Sequence, residues 1–121
     1  MEQSNEYSEM SVVNCKVKFI RPKYQNLREW MDDPDNVYIG RAGVVFIDGE
    51  RFPKKASVFA NPFKVGKHGT REEVIAKYED YIRGKLDTIR DDFTNLGGKN
   101  LGCWCHPEPC HGDVLLRLLE E

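Results

Sequence analysis

The order of helix, strand and helix in the C-terminal half constrains the fold of this chain more than any other feature. A capping box, Thr70-x-x-Glu73, opens the first helix, because the hydroxyl and the carboxylate each satisfy an otherwise unpaired backbone amide. Apolar residues then recur at helical spacing: Val74, Ile75, Tyr78, Tyr81 and Ile82. Residues 99–104 predict a buried strand, and residues 112–120 predict a second amphipathic helix. This order is typical of an α/β domain.

Earlier segments add shorter elements. Alternating β-branched and apolar residues predict a strand at 12–20, and two shorter strands are predicted at 36–41 and 44–47. Residues 27–31 predict one helical turn, and residues 86–96 predict a helical stretch that Gly97-Gly98 ends. We therefore expect a small single-domain α/β sandwich, in which helices flank a central mixed sheet and the last strand lies in its middle.

Length and charge narrow the class of protein. With 121 residues, 40% of them hydrophobic, the chain can build one core. We expect a flexible tail at residues 1–11 and one α/β domain at 12–121. The 18 Lys and Arg against 20 Asp and Glu exclude a strongly basic domain that holds nucleic acid through phosphates alone. A modest basic patch leaves nucleic acid as a weakly supported partner, with a solvated surface as the alternative: Lys54, Lys55, Lys64 and Lys67.

The cysteines indicate a reducing compartment. Cys15 stands alone, whereas the other three crowd between positions 103 and 110, and a disulfide scaffold would spread them along the chain. Cys15 alternates with Val13 and Val17, which predicts an ordinary buried thiol on one strand face. No apolar run reaches the length of a membrane span, and residues 1–10 do not resemble a secretory signal. We expect no membrane association and a cytoplasmic protein; the oligomeric state has no sequence signal.

The cysteine-rich segment is compatible with a structural zinc site. Cys103, Cys105, Cys110 and His111 offer three thiols and an imidazole, which is a common zinc ligand set. Their spacing argues against it, because zinc modules usually take ligand pairs two to four residues apart, from two separate hairpins or helix ends. Adjacent side chains such as Cys110 and His111 also diverge by about 100° on a helix. Zinc is therefore the alternative cofactor, and no cofactor is certain.

The same segment also fits a pocket without metal. A turn into a helix at Cys110 exposes backbone N–H groups and the positive end of the helix dipole, which attract phosphate or carboxylate. Cys105 or Cys110 is then the candidate nucleophile and His111 the candidate acid or base. Gly112 would let a ligand approach the backbone, and Asp113 is either a ligand contact or a helix cap. A third interpretation is that the cysteines are simply buried small apolar side chains.

Three residues elsewhere could complete such a pocket. Arg41 follows the strand at 36–41 and could clamp a phosphate, or it could be a solvated strand-end charge. Asn61 and Phe63 could place an amide and an aromatic ring against a planar base. The alternative for these two is a loop anchor, with the ring in the core and the amide in a turn.

Several motifs of this chain occur together: Val37-Tyr38-Ile39-Gly40-Arg41, Asn61-Pro62-Phe63, Gly69-Thr70-Arg71-Glu72-Glu73, and Gly98 to Cys105 followed by Pro107 and Cys110-His111-Gly112-Asp113-Val114-Leu115. They closely resemble the family domain of unknown function 4326, found in bacteria, phages and large DNA viruses. The resemblance covers about residues 36–120 and implies a small α/β domain. A looser similarity links the C-terminal motif to domain of unknown function 488, where a strand ends in Cys-x-Glu and Cys-His-Arg opens the helix. That pattern has an acidic residue at the position of Cys105 and an arginine at the position of Gly112. The similarity therefore favours an anion-accepting pocket over a site with four zinc ligands. In this chain, which lacks that arginine, Arg41 and Lys64 are the candidates to hold the anion.

Together these features predict a domain that binds or acts on a nucleotide-like or phosphorylated small molecule at the Cys/His turn. Whether it is an enzyme stays open. The alternative is a zinc-stabilised binding or adaptor module of viral or phage type without catalytic activity. For a viral protein, the expected location is the host cytoplasm.

Overall fold

The computed structural model describes residues 10–106 and 108–121. Most of the predicted tail, and Pro107 of the Cys/His segment, lie outside these residues, whereas Met10 and Ser11 already belong to the core and the first strand. The elements in chain order are β1 (Ser11–Asn14), α1 (Val17–Ile20), α2 (Leu27–Asp32), β2 (Asn36–Tyr38), β3 (Val45–Ile47), β4 (Glu50–Phe52), α3 (Arg71–Lys85), α4 (Arg90–Thr94), β5 (Asn100–Cys103) and α5 (His111–Leu119).

The last strand lies in the centre of the main sheet, as the sequence predicts. Strands β1, β5 and β2 are hydrogen-bonded in that order and run parallel, with Val12 and Val37 flanking Leu101 in register. Strands β3 and β4 form a separate antiparallel hairpin. Its two-residue turn, Asp48-Gly49, has φ angles of 54° and 81°, which is typical of a tight hairpin turn. The α/β class is confirmed, with the parallel and antiparallel strands in two sheets.

The long predicted helix and the C-terminal helix are both confirmed. In α3, the Glu73 N–H donates to Thr70 Oγ1 at 3.2 Å and the Thr70 N–H donates to Glu73 Oε1 at 2.8 Å, so the capping box is present. Helix α5 begins with an analogous box made by Cys110 and Asp113. Among the described residues, no helix combines the length and the apolar character that a bilayer crossing requires.

The predicted strand at 12–20 is wrong beyond Asn14. Asn14 Oδ1 accepts a hydrogen bond from the Lys16 N–H at 3.0 Å, a local turn that draws the backbone away from the sheet. Residues 17–20 form α1 instead, so Cys15 and Val17 do not share a strand face, although Cys15 is buried as expected. The helical stretch predicted at 86–96 is confined to α4, and strand β4 has no counterpart in the prediction.

The main sheet has a hydrophobic cluster on each face, because successive side chains of a strand point to opposite sides. Leu101 and Cys103 belong to the cluster that contains Tyr78 of α3 and Leu115 of α5. The other face carries a smaller cluster of Cys15, Ile20, Leu27, Trp30 and Tyr38. Gly102 points to this second face, where a Cβ would lie 2.4 Å from the Trp30 ring and 2.5 Å from Cys15 Sγ. The cysteines at positions 15 and 103 thus belong to different clusters.

Candidate functional site

A cleft of about 320 Å³ opens beyond the carboxyl ends of β2 and β5, at the start of α5. This is where open parallel sheets commonly bind ligands. Gly40 and Arg41 beyond β2, the end of β5, the 61–65 loop and the start of α3 all contribute to its walls. It brings together most of the predicted site residues: Arg41, Asn61, Phe63, Cys103, Cys105, Cys110 and His111.

Two of the cysteines form a contact pair inside this cleft. Cys103 ends β5, Cys110 is the N-cap of α5, and their Sγ atoms lie 3.2 Å apart with both residues buried. The hydrogen bond from the Cys110 thiol, together with backbone hydrogen bonds from Cys105 and His106, lowers the pKa of Cys103 to about 6. The same contact and burial raise the pKa of Cys110. The contact therefore favours the thiolate form of Cys103 and the thiol form of Cys110, whereas the sequence analysis singled out Cys105 and Cys110 as nucleophiles.

Arg71 is a site residue that the sequence interpretation missed. It opens α3 and lines the cleft together with Cys105, and its interaction with the Cys105 side chain raises the pKa of Arg71. Its Nη1 donates to the Pro109 carbonyl at 3.3 Å, and its Nη2 lies 3.0 Å from Glu108 Oε1. The signal available in the sequence was its place inside the Gly69–Glu73 motif, next to the capping threonine. Arg71 links α3 to the Cys/His segment and brings a positive charge to the cleft.

His111 is held in a defined protonation state. Its Nε2 lies 2.7 Å from the Ile39 carbonyl oxygen, which can only accept, so Nε2 carries the proton and Nδ1 is the acceptor. Desolvation lowers the pKa of His111, so the ring is neutral near pH 7. The ring also packs edge-on against Tyr78, with centroids 5.0 Å apart. His111 can accept a proton at Nδ1, but it does not offer a positive charge to an anion.

Arg41 anchors the 61–63 loop and lines the cleft at the same time. Its Nε and Nη2 donate to the Asn61 carbonyl at 3.2 and 2.8 Å, and Nη2 reaches the Phe63 carbonyl at 3.3 Å. Asn61 Oδ1 accepts from the Phe63 N–H at 2.9 Å, which leaves its amide nitrogen as the available donor. The Phe63 ring packs edge-on against Tyr81 at 6.0 Å between centroids. The turn bond predicted for Asn61 is present, and all three residues line the cleft, whereas their contacts with a ligand stay predictions.

Gly112 and Asp113 make structural contacts and do not line the cleft. A Cβ on Gly112 would lie 3.0 Å from Val12 Cγ2 and 3.1 Å from Ile39 Cδ1, so the glycine lets α5 pack closely on β1. Asp113 Oδ2 accepts a hydrogen bond from the Cys110 N–H at 3.0 Å, which makes it a helix cap. The cap, one of the two predicted roles of Asp113, is therefore present, and Gly112 serves close packing.

The predicted zinc ligands are not arranged around a common point. Within residues 10–106 and 108–121, no group of three or more His, Cys, Asp or Glu side chains could hold a metal ion. Cys103 and Cys110 contact each other, and His111 Nε2 is already bonded to the Ile39 carbonyl. The described residues therefore present a thiol pair beside a neutral imidazole.

The sequence of the chain matches a known family over most of its length. The family described as "Domain of unknown function (DUF4326)" matches residues 23–121. The chain belongs to this family. The resemblance noted from the motifs at 36–120 is thereby confirmed, and the DUF4326 match extends it to include α2. Every residue that lines the cleft lies within the DUF4326 match.

Two relatives of this DUF4326 chain come from a giant virus and a phage, in agreement with the expected distribution. "Uncharacterized protein R718" of Acanthamoeba polyphaga mimivirus is 34% identical over 91 residues, which cover 69% of this chain and 65% of the relative. "Uncharacterized 12.4 kDa protein in nrdA-td intergenic region" of Enterobacteria phage T4 is 37% identical over 59 residues, 46% of this chain and 55% of the relative. The matched region thus spans less than two thirds of either relative. No solved structure matches the chain.

Proposed function

We propose that the cleft binds a nucleotide-like or phosphorylated small molecule whose anionic group is held by Arg41, Lys64 and Arg71. The observation that carries this proposal is the convergence of three cationic side chains, from three separate segments, on one cleft. Arginine and lysine are the side chains that most often hold phosphate.

The charges of this trio are largely uncompensated. The partners of Arg41 are backbone carbonyls, which orient the guanidinium without neutralising it. Lys64 has no carboxylate partner within the residues described, and only Arg71 is paired, with the exposed Glu108. The dipole of α5 adds to the attraction for an anion at its N-terminus, but the Cys110 N–H there already donates to the Asp113 carboxylate. The side chains therefore supply more of the attraction for an anion than free backbone amides do.

The remaining wall of the cleft suits a planar or apolar group. Val44, Val65, Val74 and Ile75 line it together with the Phe63 ring. A volume of about 320 Å³ lies at the small end of ordinary ligand pockets, which hold roughly 300–1,000 Å³. Size and lining together favour a mononucleotide or a sugar phosphate over a nucleic-acid polymer.

If the domain also acts on its ligand, Cys103 is the reactive group. It presents a thiolate to the cleft, Cys110 can return a proton to it, and neutral His111 can accept one at Nδ1. All four cysteines are free. This supports the proposal that the protein works in a reducing compartment such as the cytoplasm.

Binding measurements on the purified chain test the proposal. Inorganic phosphate, a nucleoside and the corresponding nucleoside monophosphate are compared by thermal shift and calorimetry. We expect the monophosphate to bind best and Lys64→Gln to weaken its binding about 10- to 100-fold, since a charged hydrogen bond contributes about 1.5–3 kcal/mol and 1.4 kcal/mol is a factor of ten. Lys55→Gln is the matched control, because Lys55 is exposed and outside the cleft. No response to any phosphorylated compound, or equal losses in both variants, would overturn the proposal.

The zinc-stabilised adaptor remains the alternative proposal, and metal analysis of the same preparation tests it. One tightly held zinc per chain, with unfolding on chelation, would support the adaptor. A metal-free chain whose melting temperature is unchanged by the chelator would rule out the adaptor.

A further inference from the structure

We propose that Cys103 and Cys110 are a redox modification site: peroxide converts them into an intramolecular disulfide, and a small dithiol restores the reduced pair. The proposal stands on the geometry of the pair and holds whether or not the cleft binds a phosphorylated ligand.

The two sulfur atoms need to move little. Their separation is 3.2 Å, and a disulfide bond is roughly 2 Å long, so a small rotation of either side chain closes the gap. The residues sit on different elements, the end of β5 and the N-cap of α5, and β5 is held on both sides by β1 and β2. The fold therefore holds the two thiols in contact, and the disulfide can form without any rearrangement of the sheet.

The other two cysteines are placed differently. Cys15 belongs to the cluster on the opposite face of the main sheet, and burial raises the pKa of its thiol to about 12. Cys105 is half-buried and lines the cleft beside Arg71, outside the contact between Cys103 and Cys110. The described contacts thus select one pair of the four cysteines for disulfide formation.

Peroxide is the oxidant that fits this site, because both thiols are buried and only a small molecule can enter through the cleft. The Cys103 thiolate attacks one peroxide oxygen, the O–O bond breaks, and hydroxide leaves, which gives a sulfenic acid at Cys103. The Cys110 sulfur then attacks the Cys103 sulfur; its proton leaves with the sulfenic hydroxyl as water. Two thiols lose two electrons, and one peroxide is reduced to hydroxide and water, with the thiolate charge carried by the hydroxide.

Oxidation changes the chemistry of the cleft. The disulfide removes the negative charge of Cys103 and its nucleophilic character. In the reduced chain the Gly112 N–H donates to Cys110 Sγ at 3.3 Å. After oxidation the acceptor is a disulfide sulfur, which is a weaker hydrogen-bond acceptor. Oxidation of this cysteine pair would therefore stop any reaction that uses the Cys103 thiolate.

Thiol counting by mass spectrometry tests the proposal. The reduced chain is treated with hydrogen peroxide, quenched in denaturant with an alkylating agent, and compared with the untreated chain. We expect alkylation at two of the four cysteines, Cys15 and Cys105, with the peptide of residues 100–117 lighter by two hydrogens. Dithiothreitol should restore four alkylated sites.

Single variants identify the pair. Cys105→Ala and Cys15→Ala are the matched controls and should still lose two thiols, whereas Cys103→Ser and Cys110→Ser should not. In Cys110→Ser the resolving thiol is missing, so dimedone should trap a sulfenic acid at Cys103. Circular dichroism confirms that each variant is folded. If a variant does not fold, fragmentation of the oxidised wild-type peptide still locates the bond. A disulfide that includes Cys15 or Cys105, or alkylation of all four cysteines after peroxide, would overturn the proposal.

Discussion

Cys103 Sγ at the end of the central strand lies 3.2 Å from Cys110 Sγ at the N-cap of the last helix. This contact lowers the pKa of Cys103 and raises that of Cys110, because the sulfur that accepts the hydrogen bond is stabilised as a thiolate and the other as a thiol. It is also the contact on which the cleft chemistry and the proposed redox site both depend.

The Cys103 thiol should titrate near pH 6. Because the Cys110 thiol donates to it, Cys110→Ala should move this titration toward the ordinary value near 9, so that less thiolate is present at pH 7. The ultraviolet absorbance of the thiolate, followed from acid to alkaline pH, measures this directly. Cys105→Ala should leave the step near pH 6 in place. The prediction fails if that step is absent from the wild-type chain or survives in Cys110→Ala.

Gly102→Ala should destabilise the fold by about 1–3 kcal/mol, because the new methyl group would overlap Trp30 and Cys15 behind the central strand. Gly84→Ala is the matched control. Gly84 lies within α3 with open space beside it, so alanine there should stabilise the chain by about 0.5–1 kcal/mol. Urea unfolding of both variants measures the difference. Equal effects of the same sign would contradict the packing described for Gly102.

Tyr78→Phe should cost about 1–3 kcal/mol of unfolding free energy. The Tyr78 hydroxyl donates to the Phe59 carbonyl at 2.7 Å inside the core, and its loss leaves that carbonyl without its partner. The neighbouring Tyr81→Phe removes only a contact with Lys85 at the edge of the core, so its cost should be small. Thermal unfolding of the two variants side by side tests this contrast, and a larger loss in Tyr81→Phe would refute it.

Thr70→Ala should lower stability by about 1 kcal/mol, since the hydroxyl that accepts from the Glu73 N–H is removed from the start of α3. Thr70→Ser keeps the hydroxyl and should lose much less. Chemical denaturation of the two variants gives the measurement. Similar losses in both would show that the side chain matters through its methyl group and not through the cap.

Local sequence signals predicted the C-terminal half of the fold well. The capping box at Thr70 and the helical spacing after it depend on contacts between residues that lie close together in the sequence. The same is true of the signals that predict α5. The strand predicted at 12–20 failed because Asn14 forms a turn with Lys16 that competes with strand pairing. Alternation of apolar residues did not reveal that turn.

The candidate site was partly predictable. The sequence placed a Cys/His cluster at a strand-to-helix turn, and Arg41, Asn61 and Phe63 share the cleft with it. Arg71 was missed because its contacts with Glu108 and Pro109 join residues far apart in the chain. The roles of Gly112 and Asp113 depend on neighbours from β1 and from the helix cap, so their residue types alone did not reveal them.

The sequence alone determined the α/β class, the central position of the last strand and the location of the cysteine-rich turn, because capping and periodicity act over short stretches of chain. Only the tertiary structure decided which two cysteines contact each other, which tautomer His111 adopts and which cationic side chains line the cleft. Those properties follow from burial and from contacts between distant segments, such as Cys103 with Cys110 and His111 with Ile39. At the turn between β5 and α5, the motif is recognisable from the sequence, but the reactivity of its side chains depends on the segments packed around them.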